Sequence, residues 1–293
     1  MQIMKIKRLI ILCIASVLFG CKDEQPTYQA PDDIQFTETE HIFGVIDDKE
    51  WFEVEISATH TANHDRNIGV EVITSESSAT ENLHFKIESN TVTIPAGSLT
   101  TAVRIRGIAE NIGITEQPKI ILELVLNEEE VIEAHGIRTE ITLQRCCPFD
   151  IDNFAGYAKV TSTWLMEYMN SDSRLVKTEV DRATSTVIIK DMFYEGYDIR
   201  VMLDDSDCLE PIVIVPAEQV LGTTGEAFGT IYGNGKLMMS EPKEYSSYYG
   251  TCENFMVLYT TMYVDNVGVV GIFVNIFEWI SDEEAERIMR EGF

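Results

Sequence analysis

Asn90-Thr-Val-Thr-Ile-Pro-Ala-Gly-Ser-Leu-Thr-Thr-Ala-Val-Arg-Ile105 sets two β-prone runs around a proline and a glycine. After the turn, Val103 and Ile105 alternate with Arg104 and Arg106. A period of two buries one face of a strand and wets the other. Pro95 presets φ and Gly97 tolerates positive φ, so the segment reads strand–turn–strand. The pattern continues on both sides. Phe52, Val54 and Ile56 alternate with Glu53, Glu55 and Ser57, and Ile120, Leu122, Leu124 and Leu126 share one face. About eight such strands in residues 34–145 predict a β-sandwich.

The quoted stretch resembles the strand–turn–strand hairpin of Calx-beta domains. Ala79-Thr-Glu-Asn-Leu-His-Phe85 fits that family's approach to it. Calcium-binding members carry paired aspartates after the second strand of this hairpin. Here that segment is Ala109-Glu110-Asn111, which leaves Asp47 and Asp48 as the acids available to an ion that wants several oxygen ligands. No metal site is assigned on this basis.

Cys146-Cys147-Pro148 marks a boundary, with Pro148 as a strand breaker. Residues 146–293 form a second all-β domain. Phe154-Ala-Gly-Tyr157 opens it, and 174–180, 186–190, 197–203, 212–215, 236–239, 255–264 and 269–277 are strand-like. Gly233-Asn234-Gly235 reads as a tight hairpin turn. The order predicts an antiparallel meander that curls into a barrel or open sandwich. Ser281-Asp-Glu-Glu284 is a capping-box pattern, so a short helix to about Glu291 should end the domain.

The first residues address the chain. Lys5, Lys7 and Arg8 precede an apolar run from Ile10 to Phe19, which is the pattern of a secretory signal in residues 1–20. The run falls short of the about 20 apolar residues of a permanent span. Leu18-Phe19-Gly20-Cys21 resembles a bacterial lipobox, which implies lipidation of Cys21 and anchoring in a membrane through the lipid. Lys22-Asp23-Glu24 looks like the export tag of Bacteroidetes surface lipoproteins. The expected location is therefore the outer membrane, exposed at the cell surface, with a periplasm-facing orientation as the alternative. Residues 21–33, with Pro26 and Pro31, read as a tether. The whole layout resembles uncharacterised Bacteroidetes surface lipoproteins with a Calx-beta-like domain before a family-specific all-β domain.

Composition narrows the chemistry. A net charge of -27 repels nucleic acid and anionic headgroups, so no nucleic-acid partner is expected. Cys146, Cys147, Cys208 and Cys252 remain once the signal and the lipidated cysteine are set aside, and an exported chain meets an oxidising compartment. Neighbouring cysteines rarely pair together, so Cys146 and Cys147 should reach Cys208 and Cys252 in one order or the other. The five histidines, His41, His60, His64, His84 and His135, all precede the second domain, which excludes a Ser-His-Asp or Cys-His machine confined there. His60 and His64 read as loop residues. Gly222 to Gly235 lacks the Gly-Lys-Ser/Thr of a P-loop and reads as loop and hairpin. Asp204-Asp205-Ser206-Asp207 reads as a solvated turn, and Trp51, Trp164 and Trp279 as core. No pair of carboxylates stands out for glycoside hydrolysis.

Aromatic clusters carry the functional reading. Tyr245, Tyr248 and Tyr249, and separately Tyr194 and Tyr197, are the candidate ligand-binding residues, because exposed rings stack on sugars or anchor protein interfaces. The expectation is a non-enzymatic, lipid-anchored surface protein that binds a glycan or protein ligand, adhesin-like, with no cofactor. Its sandwich would be a spacer. The alternative is a structural or accessory subunit of a surface complex such as one for glycan capture; a hydrolase with unrecognised carboxylates is the third reading.

Overall fold

The computed structural model describes residues 33–126 and 136–291. Cys21, the signal and the tether through residue 32 lie outside them, as does His135.

The first half is a sandwich of two sheets. One contains β1 (Ile34–Phe36), β3 (Phe52–Ala58), β7 (Thr100–Gly107) and β5 (Phe85–Ile87) in the order β1-β3-β7-β5. The other contains β2 (Glu40–Val45), β9 (Arg138–Arg145), β8 (Lys119–Val125), β4 (Arg66–Val72) and β6 (Thr91–Ile94) in the order β2-β9-β8-β4-β6. The alternating sets meet between the sheets: Val54, Ile56, Val103 and Ile105 from one, Ile120, Leu122, Ile141 and Leu143 from the other, all fully buried. β2 runs parallel to β9, while the other strand pairs of the sandwich are antiparallel.

The stretch around Pro95 and Gly97 departs from the expected hairpin. β6 pairs with β4 and β7 with β3, so the chain crosses from one sheet to the other at this turn. Gly97 takes φ 79°, as the turn requires. Asp65 Oδ1 accepts from the Ala96 amide at 2.8 Å and fixes the corner.

The second half is a barrel. β10 (Gly156–Ser162), β11 (Ser173–Asp181), β12 (Thr186–Ile189), β13 (Ile199–Asp204) and β14 (Ile212–Ile214) form a meander. β17 (Ser247–Tyr249), β18 (Phe255–Val264) and β19 (Gly268–Ile280) continue it. β19 pairs with both β18 and β10, which closes an antiparallel ring of eight strands. β15 (Gln219–Thr223) and β16 (Lys236–Ser240) leave the ring, with β16 joined to the far half of β18. Closure removes most of the free sheet edge.

Its interior is filled by Trp164, Phe154, Phe193, Tyr249 and Phe277 among aliphatic side chains. A buried polar chain runs along the closing seam. Ser162 Oγ donates to Asn275 Oδ1 at 2.7 Å; Asn275 Nδ2 donates to the Leu258 carbonyl at 3.0 Å and to Thr260 Oγ1 at 3.3 Å. Asn275 is wholly buried, and such a group is tolerated because its hydrogen bonds are made.

Three helices accompany the barrel: α1 (Thr163–Tyr168), α2 (Thr224–Phe228) and α3 (Asp282–Glu291). α2 corrects the reading of Gly222 to Gly235 as loop and hairpin. Thr223 Oγ1 accepts from the Glu226 amide, and Glu226 Oε2 accepts from the Thr223 amide, a complete capping box that starts a helix among glycines. Gly233-Asn234-Gly235 is accordingly a turn into β16, and the connection from β15 to β16 contains the whole of α2. At α3, Ser281 Oγ accepts from the Glu284 amide at 3.2 Å, while the Glu284 carboxylate pairs with Arg287.

Two disulfides fasten the halves at one point: Cys146 to Cys208 and Cys147 to Cys252, with Cα separations of 5.9 and 5.0 Å. Gly44 on β2 sits against the first. A Cβ there would stand 2.6 Å from Cys208 Sγ and 3.2 Å from Leu209 Cγ, so only glycine lets the sandwich approach the barrel this closely.

Candidate functional site

The outward face of β14, β17, β18 and β19 is apolar where a solvent face is usually charged. Successive side chains of a strand point to opposite sides. Met256, Leu258, Thr260 and Met262 of β18 enter the barrel, so Phe255, Val257, Tyr259 and Thr261 face out. Register lines up neighbours across the strands. Ile212, Tyr248, Val257 and Ile276 form one row, and Tyr259 with Val274 the next. Tyr248 is 43% exposed, Ile276 40% and Ile212 37%, while Val257 between Tyr248 and Ile276 is buried.

Tyr245, 51% exposed, completes the surface. Its ring stacks on Tyr259 with centroids 5.1 Å apart and planes 18° from parallel. Tyr248 meets Phe255 edge to face at 6.2 Å. Ser247 Oγ accepts from the Tyr259 amide at 3.0 Å and holds the Tyr245 segment against β18.

The platform ends in a tight loop. Gly250 donates its amide to the Phe255 carbonyl, and Phe255 to Glu253. A Cβ at Gly250 would lie 2.4 Å from Phe255 Cε1, so the ring rests on bare backbone. Cys252 of this loop is the residue bonded to Cys147. Glu253, Asn254, Phe255, Ile276 and Glu278 line an open cleft of about 430 Å³ here. Glu278 is in register with Phe255 on one side and with Lys159 of β10 on the other.

The tyrosines expected at a site divide. Tyr245 and Tyr248 are on the platform. Tyr249 is not: it is 1% exposed, inside the barrel, and its hydroxyl donates to the Asp204 carbonyl at 3.0 Å. Burial, reinforced by the charges of Asp205 and Asp204, pushes its phenol well up. The reason is pairing: Tyr249 faces Met256 and turns in with it, while Tyr248 faces Val257 and turns out. Tyr194 and Tyr197 are half-buried in the turn between β12 and β13. Tyr194 lies on Gly222 of β15, and its burial raises its phenol. Phe255, Tyr259, Ile212 and Ile276 were not anticipated, although the alternation within 255–264 marks Phe255 and Tyr259 as sharing a face.

Other candidates resolve simply. Trp164 is core, and Trp279 packs edge-on to Phe154 while its indole donates to Thr178 Oγ1. Trp51 is corrected: it is half-buried on the sandwich surface, with the guanidinium carbon of Arg106 4.8 Å from its ring centre and that of Arg104 5.5 Å away. His60 and His64 bond to their sequence neighbours Thr59 and Asn63. Asp204 and Asp207 accept from the amides of Ser206 and Leu209 in a local turn. Asp47 and Asp48 do share a cleft with Glu110, but Arg145 lines it too. Among the described residues no group of three or more His, Cys, Asp or Glu is placed to hold a metal ion. A second cleft, apolar and of about 290 Å³, is lined by Phe228, Tyr232 and the β18–β19 turn. Among the described residues no helix is long and apolar enough to cross a membrane.

Fold and site together define an all-β protein: a sandwich disulfide-fastened to a closed ring of eight strands with aromatic side chains on its outer face. Residues 134–291, more than half of the chain, match the family described as "Domain of unknown function (DUF4984)", and the chain belongs to that family. No curated protein matches it significantly in sequence. Among solved structures the chain is similar to the apo form of the Calx CBD1 domain, at 16% identity over 40% of this chain and 98% of that one, TM-score 0.33. It is similar to a protein of unknown function from Bacteroides ovatus, at 12% identity over 84% of this chain and 89% of that one, TM-score 0.34. A candidate carbohydrate binding protein from Bacteroides ovatus ATCC 8483 is also similar, at 12% identity over 83% of this chain and 67% of that one, TM-score 0.32.

Proposed function

We propose that this protein is a non-enzymatic, lipid-anchored surface protein whose barrel binds a glycan on the Tyr245–Tyr248–Tyr259 platform. The observation that carries the reading is the outward face on which Tyr248, Ile212 and Ile276 are exposed in one row across paired strands, with Tyr245 stacked on Tyr259 beside it. Sugar rings present flat C–H faces that stack on aromatic rings, and phenol hydroxyls remain free to hydrogen-bond. A site built on strands holds its geometry better than one on loops. Here the loop that ends the platform is cross-linked through Cys252, and the loop that carries Tyr245 is held by the stacking of Tyr245 on Tyr259. Lipid attachment at Cys21 and display by Lys22-Asp23-Glu24 rest on the sequence.

Titration of the purified protein with a panel of neutral hexasaccharides tests the platform. Tyr248→Ala should weaken the best ligand by about 2 kcal/mol, roughly thirtyfold, with the fold intact by circular dichroism. Unchanged affinity would remove the platform from the site. Protease treatment of intact cells, beside a periplasmic control, tests the location; protection would place the protein inside the envelope.

A further inference from the structure

The cleft at the end of the platform has a different chemistry from the platform itself. Phe255 and Ile276 line it together with Glu253, Asn254 and Glu278. Ionised carboxylates only accept hydrogen bonds, whereas an asparagine amide both donates and accepts. A hydroxyl-rich ring can donate to such acids while its C–H face meets apolar side chains. The charges around it are unbalanced. Glu253 and Glu278 line it, and Lys159 stands one strand beyond Glu278. The chain as a whole carries -27.

We infer that the Glu253–Glu278 cleft makes the platform selective for uncharged sugars, accepting a neutral hexose unit by its hydroxyls and refusing a uronate, sialate or sulfated sugar. The inference rests on the glycan reading of the platform. Like charges brought together discriminate between partners more strongly than they change the affinity of the right one. Glu253 is next in sequence to Cys252, which is bonded to Cys147.

The experiment is titration of the full ectodomain with neutral cello-, malto-, manno- and laminari-hexasaccharides and with their C6-oxidised counterparts. The expected result is that the best neutral series binds at least about tenfold more tightly than its oxidised form, with the gap shrinking at high salt. Glu253→Gln with Glu278→Gln should narrow the gap while Tyr248→Ala weakens both members equally. Equal binding of neutral and oxidised forms overturns the selectivity and leaves the platform standing. A gap untouched by the double Gln variant overturns the assignment to these two residues. Binding of no saccharide overturns the platform reading and the selectivity with it.

Discussion

The sandwich and the barrel are built from the same alternation and differ in where their outer faces carry aromatic rings. All five histidines of the chain precede residue 136, and ten of its eleven tyrosines lie in residues 157–263. The wet faces of the sandwich carry ion pairs: Arg104 with Glu53 and Glu88, Lys119 with Glu140, Arg138 with Glu76 and Glu123. Exposed pairs of this kind contribute little to stability, but they keep a sheet face wet. The barrel has such pairs too, Lys190 with Glu179 and Asp198 and Arg182 with Asp152, but it also exposes Tyr168, Tyr232, Tyr245 and Tyr248 with Ile212, Ile272 and Ile276.

The comparison can be broken most forcefully at the disulfides. Cys147→Ser with Cys252→Ser should destabilise the barrel by about 2–5 kcal/mol and leave the sandwich transition where it is. Denaturant unfolding followed separately at Trp51 and at Trp164 and Trp279, using single-tryptophan variants, reads the two halves; equal shifts in both would make them one cooperative unit. A smaller effect comes from the seam. Asn275→Ala strands Ser162 and the Leu258 carbonyl in the core and should cost the barrel about 1–3 kcal/mol, again without moving the sandwich. The smallest is a pH effect at α2. The Thr223 hydroxyl and amide hold Glu226 below its ordinary 4.5, so its contribution is complete above that value and lost as pH falls through the lowered one. Glu226→Gln should therefore cost stability at neutral pH and little in strong acid, measured as the difference in barrel unfolding between variant and parent. A difference that persists at the acid end would locate the effect in packing.

The strands were legible because most are long enough to show a period. β18 displays five alternations, and its outward rings can be read directly from 255–264. β17 has three residues, and in Tyr248-Tyr249 the sequence offers two identical side chains with no way to say which turns in. Only the partner strand decides. The turn at Pro95 and Gly97 fits a hairpin and a crossing between sheets equally well, since the backbone demand is the same. α2 is hidden by its glycines, although Thr223 and Glu226 have capping-box spacing. For the cysteines, excluding a bond between neighbours leaves two pairings that differ only in three dimensions.

The adjacent cysteines have a mechanical consequence. A ligand held on the platform and a chain held at its start would pull the protein between residues near 250 and the sandwich. Along the polypeptide, that tension would have to pass through the barrel strands and peel them one from another. The bond from Cys147 to Cys252 spans 105 residues of sequence and carries the pull straight from the end of β9 to the edge of the platform. Under such a load the barrel would hang beside the line of force, and its hydrogen bonds would be spared the stretch.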